Sequence, residues 1–218
     1  MSAVQRKARP LTRGAGSLRD DRLFIVACDD TYAPRQYFNL FRLPRVQIHV
    51  IPTIDGTSAA EHVLRRLLEI DHEDDDERWL LLDTDHYTHG SHLQSFMAAL
   101  GEANRQGINI ALSKPCFEIW LLLHHVDEQV AGSLSSASEV ESSLRMQLGQ
   151  YNKAKLRAED YPGTHVSQAC LRAERLDQAT GGTLIPLTTT TRVYQLWRSI
   201  AAKALRSQLP PEFWELIP

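Results

Sequence analysis

No apolar run in this 218-residue sequence approaches the roughly 20 residues that a membrane-spanning helix needs; the longest are LFIVAC and IWLLL. The start, MSAVQRKARPLTRGAGSLRDD, is basic and has no apolar centre of the kind a secretory signal carries. No membrane segment and a cytoplasmic location are therefore expected. Cysteine is scarce. Cys28, Cys116 and Cys170 have none of the paired spacing that zinc sites use, and their odd number argues against a disulfide framework, so buried thiols are expected. Excess charge of one sign is also missing: 24 basic against 27 acidic residues leave a formal net charge of −3. That excludes strong overall attraction to nucleic acid but not a local basic face. The N-terminal Arg6, Lys7, Arg9, Arg13 and Arg19 supply either such a face or a partly disordered solubilising tail. No repeat of fixed period is present, and no low-complexity tract beyond short serine and threonine clusters.

What is there suits one substantial core, with 43% hydrophobic and 23% charged residues. The first half alternates short apolar runs with helical patterns, the signature of parallel strands joined by crossover helices. RLFIVACDD reads as a strand ending in acids, and RVQIHVIPT as a second strand closed by Pro52. TSAAEHVLRRLLEI follows as a helix, with Ser58 and Glu61 at capping-box spacing. WLLLDTD is apolar enough for a strand buried on both faces. A helix over about Ser91 to Gln106, the strand INIALSKP and a helix CFEIWLLLHH opened by Pro115 complete this half. After His125, helices are expected in EVESSLRMQLGQY, THVSQACLRAERLDQ and TTRVYQLWRSIAAKAL, with GGTLIPLTTT as a loop. The expected fold is α/β: an open, mainly parallel sheet flanked by helices over 21–126, a basic arm over 1–20, and a mostly helical part over 127–218. The last part either covers the sheet or forms a small lobe.

Open parallel sheets bind ligands in the crevice beyond the carboxyl ends of their strands. This chain puts Asp29 and Asp30 at one such end and Asp83 and Asp85 at another, the latter pair turned to the same side by strand alternation. Carboxylates gathered there repel one another, and Mg²⁺ or Mn²⁺ relieves the repulsion. The chemistry implied is phosphoryl transfer or phosphodiester hydrolysis. An ordinary polar turn explains the same spacing. His86, His89 and His92 raise zinc as a competitor, with a solvated loop or a substrate contact as the other role. Of the adjacent His124 and His125, at most one faces inward. HEDDDE reads as a solvated acidic loop.

SKPCFEIWLLLHH, LLLDTD, RLFIVACDDTYAPRQYF, IPLTTTTRVYQLW and the basic RKARPLTRGAG together resemble the RloB family, a prokaryotic group with a Toprim-like core associated with defence and abortive infection. The resemblance implies metal ligation by Asp29, Asp83 and Asp85, with Glu118 or His124 positioning substrate or moving a proton. Lys114, His86 and Arg35 are the candidate substrate contacts. A metal-dependent nuclease acting on RNA or DNA with Mg²⁺ or Mn²⁺ is expected, beside a defence-system partner protein. The alternatives are a catalytically silent sensor or partner-binding module and, more remotely, a small-phosphoester hydrolase. Departures from the family pattern are specific. Its Glu-Gly-Glu-Lys-Thr-Glu segment stands here as DDTYAP, Asp29 is one methylene shorter than glutamate, and Lys114 replaces an asparagine. A misplacement of about an ångström can cost about a hundredfold in rate.

Overall fold

Arg22–Cys28 form strand β1, and its side chains alternate between two cores: Leu23, Ile25 and Ala27 enter one, Phe24, Val26 and Cys28 the other. Such a strand belongs inside a sheet covered on both faces. The computed structural model describes residues 21–54, 56–85, 87 and 91–217. In it β1 lies between two parallel neighbours, β2 (Val46–Ile51) and β3 (Glu77–Asp83). β3 pairs in parallel with β4 (Asn109–Lys114), and β4 pairs antiparallel with the two-residue β5 (Thr190–Thr191). The order is β2-β1-β3-β4-β5.

Helices α2 (Ala60–Leu68) and α3 (Ser91–Arg105) cover one face, where Val63, Leu67, Phe96 and Leu100 meet Ile25, Leu80 and Leu82. The opposite face carries α1 (Ala33–Phe38), α4 (Glu118–Leu122), α5 (Glu128–Gly132), α6 (Ala137–Leu148), α7 (Gly163–Ala179) and α8 (Val193–Lys203), with a final 3-10 turn over Pro211–Leu216. The C-terminal helices therefore share a core with the sheet. Trp120 and Trp197 are fully buried in it. Each large apolar side chain so buried contributes about 1.5–3 kcal/mol.

The parallel sheet and the long helices match the expectations from sequence. The differences are local. Ser58 and Glu61 form no capping box, because α2 starts after Ala59 with no side-chain cap. The carbonyl of Ser58 instead accepts the Tyr87 hydroxyl at 2.8 Å. A true capping box opens α6, between Ser136 and Glu139. The expected loop GGTLIPLTTT ends in β5, which adds an edge to the sheet. The helix after Pro115 is only five residues long, and α1 and α5 carry too few residues to show a clear apolar period. All three cysteines are free and buried. Among the described residues no helix is long and apolar enough to cross a membrane. The basic arm lies outside the described residues.

Candidate active site

Between β1 and β3 the sheet changes direction: the chain passes from β1 outward to β2, then returns across β1 to enter β3. Such a switch point opens a crevice at the carboxyl ends of the strands. Asp29 and Asp30 follow β1, Asp83 closes β3, and Glu118 opens α4 just beyond β4. With Asp85, these acids line one cavity of about 340 Å³. Ser58, Tyr87 and Cys116 add to its wall, and Ala137, Glu141 and Lys153 close it from the C-terminal half.

Short hydrogen bonds fix the acids in different ways. Asp29 Oδ2 accepts the backbone N–H of Asp83 at 2.9 Å, tying the end of β1 to the end of β3. Asp30 turns the other way: its Oδ1 accepts the N–H of Ala33 at 2.9 Å and that of Tyr32, starting α1. Asp30 Oδ2 faces Lys153 Nζ at 3.4 Å. Of the two consecutive acids, Asp29 is therefore the one joined to Asp83. The Thr53 hydroxyl donates to the Cys28 carbonyl at 3.1 Å, and the Thr84 N–H to the Ser113 carbonyl at 2.9 Å, so both strand ends are held by bonds beyond β1 and β3 themselves. Glu118 is buried, and its Oε1 accepts the Tyr151 hydroxyl at 2.9 Å.

Crowding sets the electrostatics. Burial pushes the Asp29 carboxyl up to about 7, with the charges of Asp30 and Asp85 adding and the Asp83 N–H opposing. Asp83 rises well above the carboxylate range, first through burial and then through Asp29, Glu118 and Asp85. Burial, then Asp30, raises Glu118 against the hydrogen bonds from Cys116 and Tyr151. Burial opposes the charge of Lys153, but Asp30 and Glu118 outweigh it and raise its pKa. Among the described residues neither Asp29 nor Asp83 forms an ion pair with a lysine or arginine.

The remaining predicted residues do not all join this group. His124 is buried at 3% exposure among aromatic rings, with Nε2 3.1 Å from the Tyr37 hydroxyl, and it is absent from the cavity wall. Burial, then His125, lowers its pKa well below the imidazole range. It sits here as a core histidine. Lys114 ends β4 opposite Thr190, and Arg35 is exposed on α1; neither lines the cavity. His86 and His89 lie outside the described residues, and His92 is exposed on α3. Two residues that sequence reasoning passed over, Tyr151 and Lys153, touch the acids. Their signal, an aromatic and a lysine in QYNKAK, is too common to single out, and Lys153 lies 123 positions from Asp30.

The donor set suits a hard divalent cation. Mg²⁺ takes oxygen ligands and commonly one or two carboxylates, and the crevice offers Asp29, Asp83 and Asp85, whose mutual crowding a bound cation would relieve. As they stand, no three His, Cys, Asp or Glu side chains among the described residues form a metal-holding group.

A family model described as RloB-like protein matches residues 24–200. No curated protein and no solved structure matches the chain. The match takes in every acid of the crevice together with Tyr151 and Lys153.

Proposed function

We propose, on the premise that this chain belongs to the family of RloB-like proteins, that it is a metal-dependent nuclease hydrolysing phosphodiester bonds of RNA or DNA in prokaryotic defence. The observation that carries this reading is the gathering of Asp29, Asp83, Asp85 and Glu118 around one cavity at the sheet's switch point. An acid after β1 and an Asp-x-Asp at the end of β3 also match the Toprim-like arrangement that the resemblance implies. Asp29, Asp83 and Asp85 would hold Mg²⁺ or Mn²⁺, which when bound supplies an activated water and neutralises charge developing on the phosphate. The chain's own groups divide the remaining work. Glu118, whose raised pKa suits it to proton exchange, accepts a proton on its carboxylate while the Tyr151 hydroxyl orients it. Lys153, in the wall of the same cavity, offers a cation to a phosphate oxygen. Burial of Asp29 and Asp83, with no basic partner among the described residues, makes the metal-free site electrostatically costly, which favours uptake of a cation.

The test is incubation of the purified protein with tRNA, single-stranded and duplex substrates in Mg²⁺ and in Mn²⁺. Cleavage that Asp83→Ala abolishes is expected. Absence of cutting on every substrate, or equal cutting by the variant, removes the enzymatic reading. A second reading, a catalytically silent sensor or partner-binding module, is favoured by the shorter Asp29 and by the loss of the family's glutamates and lysine from DDTYAP. Calorimetric titration with Mn²⁺ separates the two, since the silent module predicts no binding that depends on Asp83.

A further inference from the structure

The acid crevice has a neighbour. A second cavity, of about 260 Å³, is walled entirely by the stretch 148–161 that joins α6 to α7. Tyr151 separates the two: its ring lines the second cavity, while its hydroxyl donates to Glu118 in the first. Lys153, two residues on, reaches back into the acid crevice toward Asp30. The second cavity combines Tyr151 and Tyr161 with the apolar Leu148 and Leu156, the amides of Gln150 and Asn152, and Lys155, and the Arg157–Asp160 ion pair completes its wall. Tyr161 is 2% exposed, and its hydroxyl is buried with no hydrogen-bond partner among the described residues.

We propose that this second cavity is a nucleobase subsite, so that the substrate enters as a single strand with one unstacked base held beside the bond to be cut. The proposal rests on the nuclease reading of the acid crevice. Size supports it: about 260 Å³ is just below the roughly 300 Å³ lower end of small-ligand pockets, which suits one base and its sugar but not two stacked bases. Chemistry supports it as well. An extruded base is held by stacking on aromatic or apolar side chains and by hydrogen bonds to its edge. Here the Tyr151 ring and the leucines offer the stacking surfaces, and the Gln150 and Asn152 amides offer both donors and acceptors. The Asn152 Oδ1 already accepts the Ala154 N–H at 3.0 Å, which leaves its NH₂ as the donor toward a base. Lys153 lies where the chain passes from one cavity to the other, in position to meet the connecting phosphate. A paired base in a duplex cannot enter a cavity of this size without leaving its helix, so unpaired RNA or DNA is the substrate class.

The test is calorimetric titration of the full chain, in EDTA, with each of AMP, GMP, CMP and UMP, and with ribose 5-phosphate as the ligand lacking a base. At least one mononucleotide should bind, and ribose 5-phosphate should bind far more weakly. Tyr151→Ala should weaken mononucleotide binding about 5- to 150-fold, the loss expected for one base–aromatic stack. Gln150→Ala, at an exposed position that leaves the fold undisturbed, should weaken it as well. The proposal is overturned if no mononucleotide binds, if ribose 5-phosphate binds equally well, or if both variants bind like the wild type. Because EDTA removes any need for cleavage, the two readings fail separately. Nucleic-acid cleavage without mononucleotide binding removes the base subsite alone, and binding without cleavage removes the nuclease alone.

Discussion

Replacing Asp29 by asparagine should make the metal-free protein more stable at neutral pH, and the size of the gain follows from the crevice. Asp29 has an ordinary carboxyl value of 3.8 when unfolded and is pushed to about 7 when folded, chiefly by burial. An acid with a raised folded pKa holds its proton more tightly in the native state. Its destabilising effect is absent below pH 3.8, grows as the pH rises, and is complete above about 7. The full effect is about 4 kcal/mol at about 1.4 kcal/mol per unit, and the stretch between pH 5 and 8 contains about 3 kcal/mol of it. Asparagine keeps an oxygen for the Asp83 N–H, so the link between β1 and β3 survives while the charge is removed. The measurement is urea or thermal unfolding of wild type and Asp29→Asn in EDTA at pH 5 and pH 8. Titrating groups outside the crevice are common to both proteins, and the difference between them reports Asp29 together with the carboxyls coupled to it, Asp83 above all. The variant should gain about 3 kcal/mol on the wild type between the two pH values, or about 6–12 °C in Tm for a chain of this size. If the two proteins stay within about 0.5 kcal/mol of each other at both pH values, the carboxylates are not buried together and the electrostatic basis of the metal reading fails.

Two further outcomes bear on the site and on its support. At pH 8, Mn²⁺ at 100 times its Kd should stabilise the wild type by about 2.7 kcal/mol and leave Asp83→Ala unmoved; a thermal shift common to both proteins would place the ion elsewhere. Leu80→Ala, at a fully buried position on β3, should cost about 2–5 kcal/mol in denaturant unfolding, and a cost below about 1 kcal/mol would contradict the two-faced burial of that strand.

The strands were legible in the sequence because each writes its burial locally: RLFIVAC and WLLLD are apolar on both sides, and only a covered parallel sheet accepts that pattern. The acids at their ends were legible for the same reason, since an aspartate directly after a buried strand must emerge at the sheet's edge. The Ser58–Glu61 spacing, by contrast, resembled a cap that did not form, because the start of α2 depends on where the preceding turn lets the chain enter. β5 escaped notice because two threonines carry no periodicity, and only the β4 edge that receives them makes them a strand.

The sequence by itself determined the parallel strands of the sheet, its acidic edge and the family, because these depend on residue type and short-range order. Tertiary structure alone decided that Asp29 and not Asp30 reaches Asp83, and that His124 belongs to an aromatic core. It also decided that Tyr151 and Lys153 return from the C-terminal half to touch the acids of the crevice. Those outcomes turn on side-chain direction and on contacts between residues far apart in the chain. Neither is encoded in spacing, since a folded chain brings distant positions together only after its helices have packed.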